Sequence, residues 1–231
     1  MADQSPPLTW RDGTPVSTRF DDPYFSLQNG LAETRHVFLS GNDLPARFRD
    51  GVHIAELGFG TGLNLLATLD LWQRSGQRGQ LRYTTFEAYP LAAGDMDQAQ
   101  AAFPELAPLA AKLAPHWRAG ARAFETPTLR FEMVEGDARD TLPRWPGRAD
   151  AWFLDGFSPA RNPELWDARL LQEVAGHTAP GGTAATYTAA GHVRRALAAA
   201  GFEVIRIAGF GRKRHMTVAR MPTGPRLTES T

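Results

Sequence analysis

Seven short runs, VHIAEL, LRYTTFEA, LRFEMVEG, DAWFLDG, TAATYTA, EVIRIA and HMTVAR, recur from residue 52 onward. Each is rich in β-branched or aromatic residues, the composition of a strand. Between them lie stretches of helical spacing such as GLNLLATLDLWQRSG, with Leu63, Leu66, Leu69 and Trp72 on one face. Strand alternating with helix predicts an α/β fold with a mostly parallel, seven-stranded, Rossmann-like sheet covered on both faces. The last two runs are separated only by GFGRKR, too short for a parallel crossover, so the sheet is expected to end in an antiparallel pair.

The chain has 231 residues, enough for one core domain with an appended segment. The expected division is an N-terminal extension over 1–50 packing on the core, a domain over 51–220 and a flexible tail over 221–231. Residues 88–130 exceed one crossover and read as two helices broken near Pro104, an insertion expected to shape a substrate site. No apolar run nears the roughly 20 residues of a membrane helix, and the first residues lack a signal peptide's basic and apolar regions. A cytoplasmic protein without membrane contact is expected. There is no cysteine, and the six histidines show no metal-ligand spacing, so no metal is expected. Net charge is zero, unlike a strongly basic nucleic-acid binder. All but Lys112 and Lys213 of the 25 basic residues are arginine, a bias open to genome composition as well as to phosphate binding.

In such a sheet, ligands gather beyond the carboxyl ends of the strands. The first strand runs into AELGFGTG, which sets Glu56 before Gly58, Phe59, Gly60, Thr61 and Gly62. The next ends at Glu87, the third at Asp137 and Ala138, and the fourth at Asp155. The glycine turn departs from the dinucleotide fingerprint, because its third glycine comes one residue early, and no lysine follows it as in a phosphate-binding loop. Four carboxylates at adjacent strand ends repel a pyrophosphate and attract a sulfonium and an amino group. Glu87, able to accept hydrogen bonds, suits the hydroxyls of a ribose. S-adenosylmethionine meets these demands, and Glu56, Gly58, Phe59, Gly60, Thr61, Gly62, Glu87, Asp137, Ala138 and Asp155 are its expected contacts. Taken singly, each acid is better explained as a helix cap or a soluble loop residue, and it is the four in this order that point to the donor site.

FSLQNGLAETRHVFLSGNDLPARF, AELGFGTGLNLLAT, FLDGFSPARNPELW and GFGRKRHM closely resemble the bacterial tRNA 5-aminomethyl-2-thiouridine methyltransferases. That family comprises stand-alone MnmD enzymes and the methyltransferase half of bifunctional MnmC proteins, and the resemblance runs from about Leu8 to Arg220. It implies a class I methyltransferase fold, S-adenosylmethionine as cofactor, tRNA as partner, and methylation of the aminomethyl nitrogen of a wobble uridine. A methyltransferase acting on a small-molecule or protein amine is the alternative. The bifunctional form continues into a flavin-dependent oxidase, for which this chain has no fingerprint, so a stand-alone enzyme or an isolated half with a separate oxidase partner is expected.

An alkylammonium has no lone pair, so the reaction needs an acceptor for its proton. Asp155 matches the family's proposed catalytic position, with Gly156 and Phe157 offering carbonyls and a ring to the same nitrogen and Pro159 and Pro163 stiffening the loop. A helix cap at Asp155 is the competing reading. Tyr24, Phe25 and Asn29 are candidates to hold the flipped uridine, with core packing equally open for Phe25. Arg161, Arg212, Lys213, Arg214 and His215 are candidates for tRNA phosphates, since GRKRH repels itself unless anions are near. Arg194 and Arg195 serve there too, or form the solvated face of their helix.

Overall fold

The computed structural model describes residues 7–27 and 29–224. Its strands are β1 (Leu8–Arg11), β2 (Thr14–Ser17), β3 (Asp22–Pro23), β4 (His53–Leu57), β5 (Leu81–Glu87), β6 (Ala123–Glu125), β7 (Leu129–Glu135), β8 (Ala149–Leu154), β9 (Thr178–Thr186), β10 (Glu203–Ala208) and β11 (His215–Arg220). Its α-helices are α1 (Gly30–Thr34), α2 (Leu63–Arg74), α3 (Ala93–Gln100), α4 (Ala107–Arg118), α5 (Ala138–Thr141), α6 (Ala168–Gly176) and α7 (Gly191–Ala199). The main sheet is ordered β10-β11-β9-β8-β4-β5-β7-β6.

The five strands from β9 through β7 pair in parallel, and β10 and β11 form the expected antiparallel pair at one end. At the other end the sheet has one strand more than expected. The short β6 pairs antiparallel with β7. Its three residues are too few to show alternation in sequence. The strand β9 also begins earlier than expected, because its Pro180-Gly181-Gly182 stretch, which reads as a loop, is a bulge against β8.

Both faces of the sheet are buried, as parallel strands require. On β8, Trp152 points into one hydrophobic cluster with Phe86, Trp145 and Leu171, and Phe153 into another with Phe38, Tyr83 and Leu65. Each such side chain contributes about 1.5–3 kcal/mol by leaving water. Helix α2 lies on the second face through Leu65, Leu66 and Leu69. The expected break near Pro104 is a 3₁₀ turn at Pro104–Leu106 between α3 and α4.

The extension packs on that face as part of the same core. Its hairpin β1-β2 turns at Asp12-Gly13, both with positive φ (48° and 77°), the backbone of a type I′ turn. Helix α1 starts at Asn29, whose side chain accepts from Ala32 N at 2.9 Å, and runs on into a π turn at Arg35–Leu39. Leu31, Val37, Phe38 and Leu39 bury themselves against α2 and the sheet. At the other terminus, Met221 N donates to Gly182 O at 2.8 Å. The remainder of the expected tail from residue 225, and residues 1–6 of the extension, lie outside the described residues.

Candidate active site

A cavity of about 680 Å³ opens at the carboxyl ends of β4, β5, β7 and β8. The turn after β4 forms its floor. There Glu87, the last residue of β5, reaches across and accepts from Phe59 N (2.9 Å) and Gly60 N (3.0 Å) with Oε2, and from Tyr89 N (2.8 Å) with Oε1. Those turn N–H groups are the donors a pyrophosphate would need, so the acid that fixes the turn also closes it to a dinucleotide. Gly58 has φ +85°, and a Cβ there would lie 2.4 Å from the Asp155 carbonyl oxygen. Gly62 caps α2 and packs on Phe59 and Met96, away from the cavity wall. Phe59, Gly60 and Thr61 line the wall.

Asp137 caps α5, accepting from Arg139 N at 2.9 Å, and pairs with the Arg139 guanidinium at 2.6 Å. The guanidinium holds its carboxyl below the usual range. Ala138 is buried beside it, and both residues line the cavity.

Glu56 requires a correction. Leu57 continues the strand, so Glu56 lies inside the sheet, fully buried, in register with Thr85 and Phe153. It does not line the cavity. Burial pushes its carboxyl well above the usual range, against a hydrogen bond from Asn64. It is an interior acid behind the wall, not a contact on it.

Asp155 follows β8, its N–H tied to Leu57 O at 3.1 Å, and its carboxyl faces the cavity. Asn64 Nδ2 donates to its Oδ2 at 2.6 Å. Burial pushes the Asp155 carboxyl up to about 7; the Asn64 hydrogen bond opposes this, the Glu33 charge adds to it and Lys213 again opposes. Asp155 caps no helix in this structure.

The two carbonyls expected to face the substrate are already engaged. Gly156 O accepts from the Tyr187 hydroxyl at 2.7 Å and Phe157 O from Trp166 Nε1 at 2.8 Å. What the loop offers the cavity is the Phe157 ring, stacked on Phe20 at 4.8 Å and edge-on to Tyr24 at 5.0 Å. Pro163 opens a 3₁₀ turn that seats Trp166, and Ser158 N is held by Asp22 Oδ2 at 2.8 Å.

The far wall is the N-terminal extension, not the insertion at 88–130, which beyond Tyr89 contributes no lining residue. Tyr24 and Phe25 line the cavity, Phe25 also packing edge-on to Phe103 at 5.0 Å. Asn29 is spent as the cap of α1 and does not line it.

The basic candidates divide. Lys213 has its Nζ 2.8 Å from Glu33 Oε1 and 4.0 Å above the Tyr187 ring, so it clasps the β10-β11 loop to α1. Arg212 lines the mouth; Arg214 and His215 stand outside the lining. Arg161 pairs with Asp21 at 3.0 Å, and Arg194 and Arg195 lie on α7 away from the cavity.

Sequence reasoning missed Asn64, Glu33, Tyr187, Phe20 and Arg19, the last stacked over Tyr89 at 4.5 Å. Only Asn64 carried a signal, as a polar residue among the buried Leu63, Leu65 and Leu66 of α2. Among the described residues no helix is long and apolar enough to cross a membrane.

Residues 104–222 match a family described as S-adenosyl-L-methionine-dependent methyltransferase. A protein of Caulobacter sp. (strain K31) named tRNA 5-methylaminomethyl-2-thiouridine biosynthesis bifunctional protein MnmC is 49% identical over 230 residues, covering 94% of this chain and 38% of its own length. One of the same name from Marinobacter nauticus is 44% identical over 94% of this chain and 36% of its own length. The chain thus spans little more than a third of these relatives. The crystal structure of MNMC2 from Aquifex aeolicus is similar with a TM-score of 0.71 and 27% identity, over 92% of this chain and 68% of that one. TrmN from Thermus thermophilus shares the fold, at a TM-score of 0.54 and 19% identity over 92% of this chain and 54% of that one.

Proposed function

The chain belongs to the S-adenosyl-L-methionine-dependent methyltransferases, and from that premise we propose that it methylates the 5-aminomethyl nitrogen of wobble 5-aminomethyl-2-thiouridine in tRNA, giving 5-methylaminomethyl-2-thiouridine. The observation that carries this reading is a carboxyl held near pH 7, Asp155, facing a cavity walled by the rings of Phe20, Tyr24 and Phe157. The relatives' names point to the same modification.

The cavity's chemistry fits the cofactor. Glu87 occupies the turn donors that a phosphate would seek, and the wall carries Asp137 and Asp155 as acids suited to a cationic ligand. Gly58, Phe59, Gly60, Glu87, Asp137 and Ala138 are the residues that would hold it. S-adenosylmethionine, when bound, supplies an electrophilic methyl carbon on a sulfonium sulfur.

The protein's task is to present a neutral amine. Asp155 accepts a hydrogen bond from the substrate ammonium and takes or relays its proton, a role for which a pKa near the working pH is the most effective. Tyr24, Phe20 and Phe157 enclose a flat base and exclude water around the nitrogen. Arg212 and Arg214, at the β10-β11 turn, meet the phosphates of the same RNA. The amine itself has to be uncovered by removal of a carboxymethyl group, which we assign to a flavin-dependent oxidase partner.

The test is incubation with labelled methyl donor and tRNA carrying either the free aminomethyl or the carboxymethylaminomethyl group, followed by nucleoside analysis. Label in 5-methylaminomethyl-2-thiouridine from the first tRNA alone is expected. Label from neither, with transfer to a small amine, would overturn the assignment.

A further inference from the structure

We propose that Asn64 is a positioning residue for the transfer: it holds one oxygen of Asp155, turns the other toward the substrate amine and keeps the carboxyl able to give up its proton. This rests on the reading of Asp155 as the acceptor of the amine proton. Asn64 is the second residue of α2 and is buried. Its Nδ2 donates to Glu56 Oε1 at 2.8 Å and to Asp155 Oδ2 at 2.6 Å, while its Oδ1 accepts from the Thr34 hydroxyl at 3.0 Å. Both amide hydrogens and the amide oxygen are therefore used.

The network also fixes which way the amide points. Reversed, it would set its oxygen against the ionised Asp155 carboxylate, which has no hydrogen to donate. Asp155 Oδ1, by contrast, accepts no hydrogen bond among the described residues. The bridge gives one buried acid and one working acid a common donor. Glu56 sits in the sheet beside the buried hydroxyls of Tyr83 and Thr85, whose interaction with it opposes the upward push of burial on its carboxyl. Asn64 therefore donates to the interior acid on one side and supports the ionised form of Asp155 on the other, against the burial that favours the protonated form. The other groups facing Asp155 are Glu33 from α1, Lys213 from the β10-β11 turn, Tyr83 from β5 and Tyr187 after β9.

The experiment follows the Asp155 carboxyl itself. Donor-free protein labelled with carbon-13 at the aspartate carboxyl is titrated by NMR, the Asp155 signal being assigned by its loss in Asp155→Asn. Asn64→Ala is expected to move the midpoint up by about one pH unit or more, the worth of a hydrogen bond to a charged group. Thr34→Val keeps the shape of the site and frees the amide oxygen. It should move the midpoint in the same direction by less, and it carries the test if Asn64→Ala does not fold. The acid limb of kcat for tRNA should move in parallel, with recovery at alkaline pH, whereas a merely structural role lowers kcat at every pH. An unmoved midpoint in both variants overturns the proposal even if tRNA is methylated. A moved midpoint in a protein that methylates no tRNA supports the role of Asn64 and rejects the substrate.

Discussion

Asp155→Asn should make the protein more stable at alkaline pH while nearly abolishing its activity. In the unfolded chain this carboxyl titrates at its ordinary 3.8, and in the folded protein at about 7, chiefly because burial disfavours its charge. Below about pH 4 both states carry the proton and the shift costs nothing. As pH rises toward 7 the unfolded chain releases its proton while the folded one retains it, so stability falls; above the folded value the full cost persists. The rise from 3.8 to about 7, at about 1.4 kcal/mol for each tenfold change in proton affinity, sets an upper bound of about 4 kcal/mol. Partial opening to the cavity reduces this to about 2–4 kcal/mol. Asparagine has no proton to lose and keeps an oxygen for the Asn64 donor. Urea denaturation of donor-free protein at about pH 4 and about pH 8 should give nearly equal stabilities at the lower pH and an advantage to the variant at the higher. At pH 8 kcat should fall by about 10²- to 10⁴-fold. A pH-independent difference, or a variant less stable at pH 8, would refute the burial argument.

Glu87→Gln should lower the urea midpoint by the equivalent of about 2 kcal/mol, because its amide group cannot accept from all of Phe59, Gly60 and Tyr89 N–H; calorimetry should show weakened donor binding, and an unchanged midpoint would contradict it. Gly58→Ala should cost about 2–4 kcal/mol, since its Cβ meets the Asp155 carbonyl at a positive φ, so a stable Gly58→Ala protein with full donor affinity would count against the close approach. Replacing Arg212 and Arg214 together by Ala should reduce the salt slope of tRNA binding by about 0.7–0.9 for each phosphate that is no longer neutralised. Lys213→Ala should leave that slope unchanged, because its ammonium is held by Glu33; equal slopes for the two variants would remove the distinction.

Much of this site was legible because strand ends are marked in sequence. The glycine turn, Glu87, Asp137 and Asp155 could be placed together from the strand order alone, and three of the four acids line one cavity. Glu56 was misplaced by parity. Side chains alternate along a strand, and Glu56 shares its face with Thr85 and Phe153, so it points into the core beneath Asn64, one residue short of the end. Lys213 has a partner that its own segment does not reveal. A basic run reads as a phosphate site when only local charge is visible, and Glu33, the acid that pairs with Lys213, lies 180 residues earlier. The roles of extension and insertion were likewise set by tertiary packing: the insertion buries Phe103 and Leu106 at its 3₁₀ turn and Leu113 on α4 in the core, whereas the extension supplies the rings that close the cavity.

The extension therefore does more than cover a hydrophobic face. An aspartate at the end of a parallel strand ordinarily meets water and titrates as any carboxylate. Here Thr34 orients the amide that holds it, Glu33 places negative charge near it, and Tyr24 covers the glycine turn beside it, a Cβ on Gly60 falling 2.9 Å from that ring. The sheet fixes where the Asp155 backbone lies, and residues from the extension, α2 and the β10-β11 turn decide what its carboxyl can do. Burial alone would leave a protonated acid with no capacity to accept the amine proton, and full exposure would leave a weak base. Asn64 and Lys213 oppose the burial, and the balance brings the carboxyl to about 7, where it is both ionisable and basic enough to act.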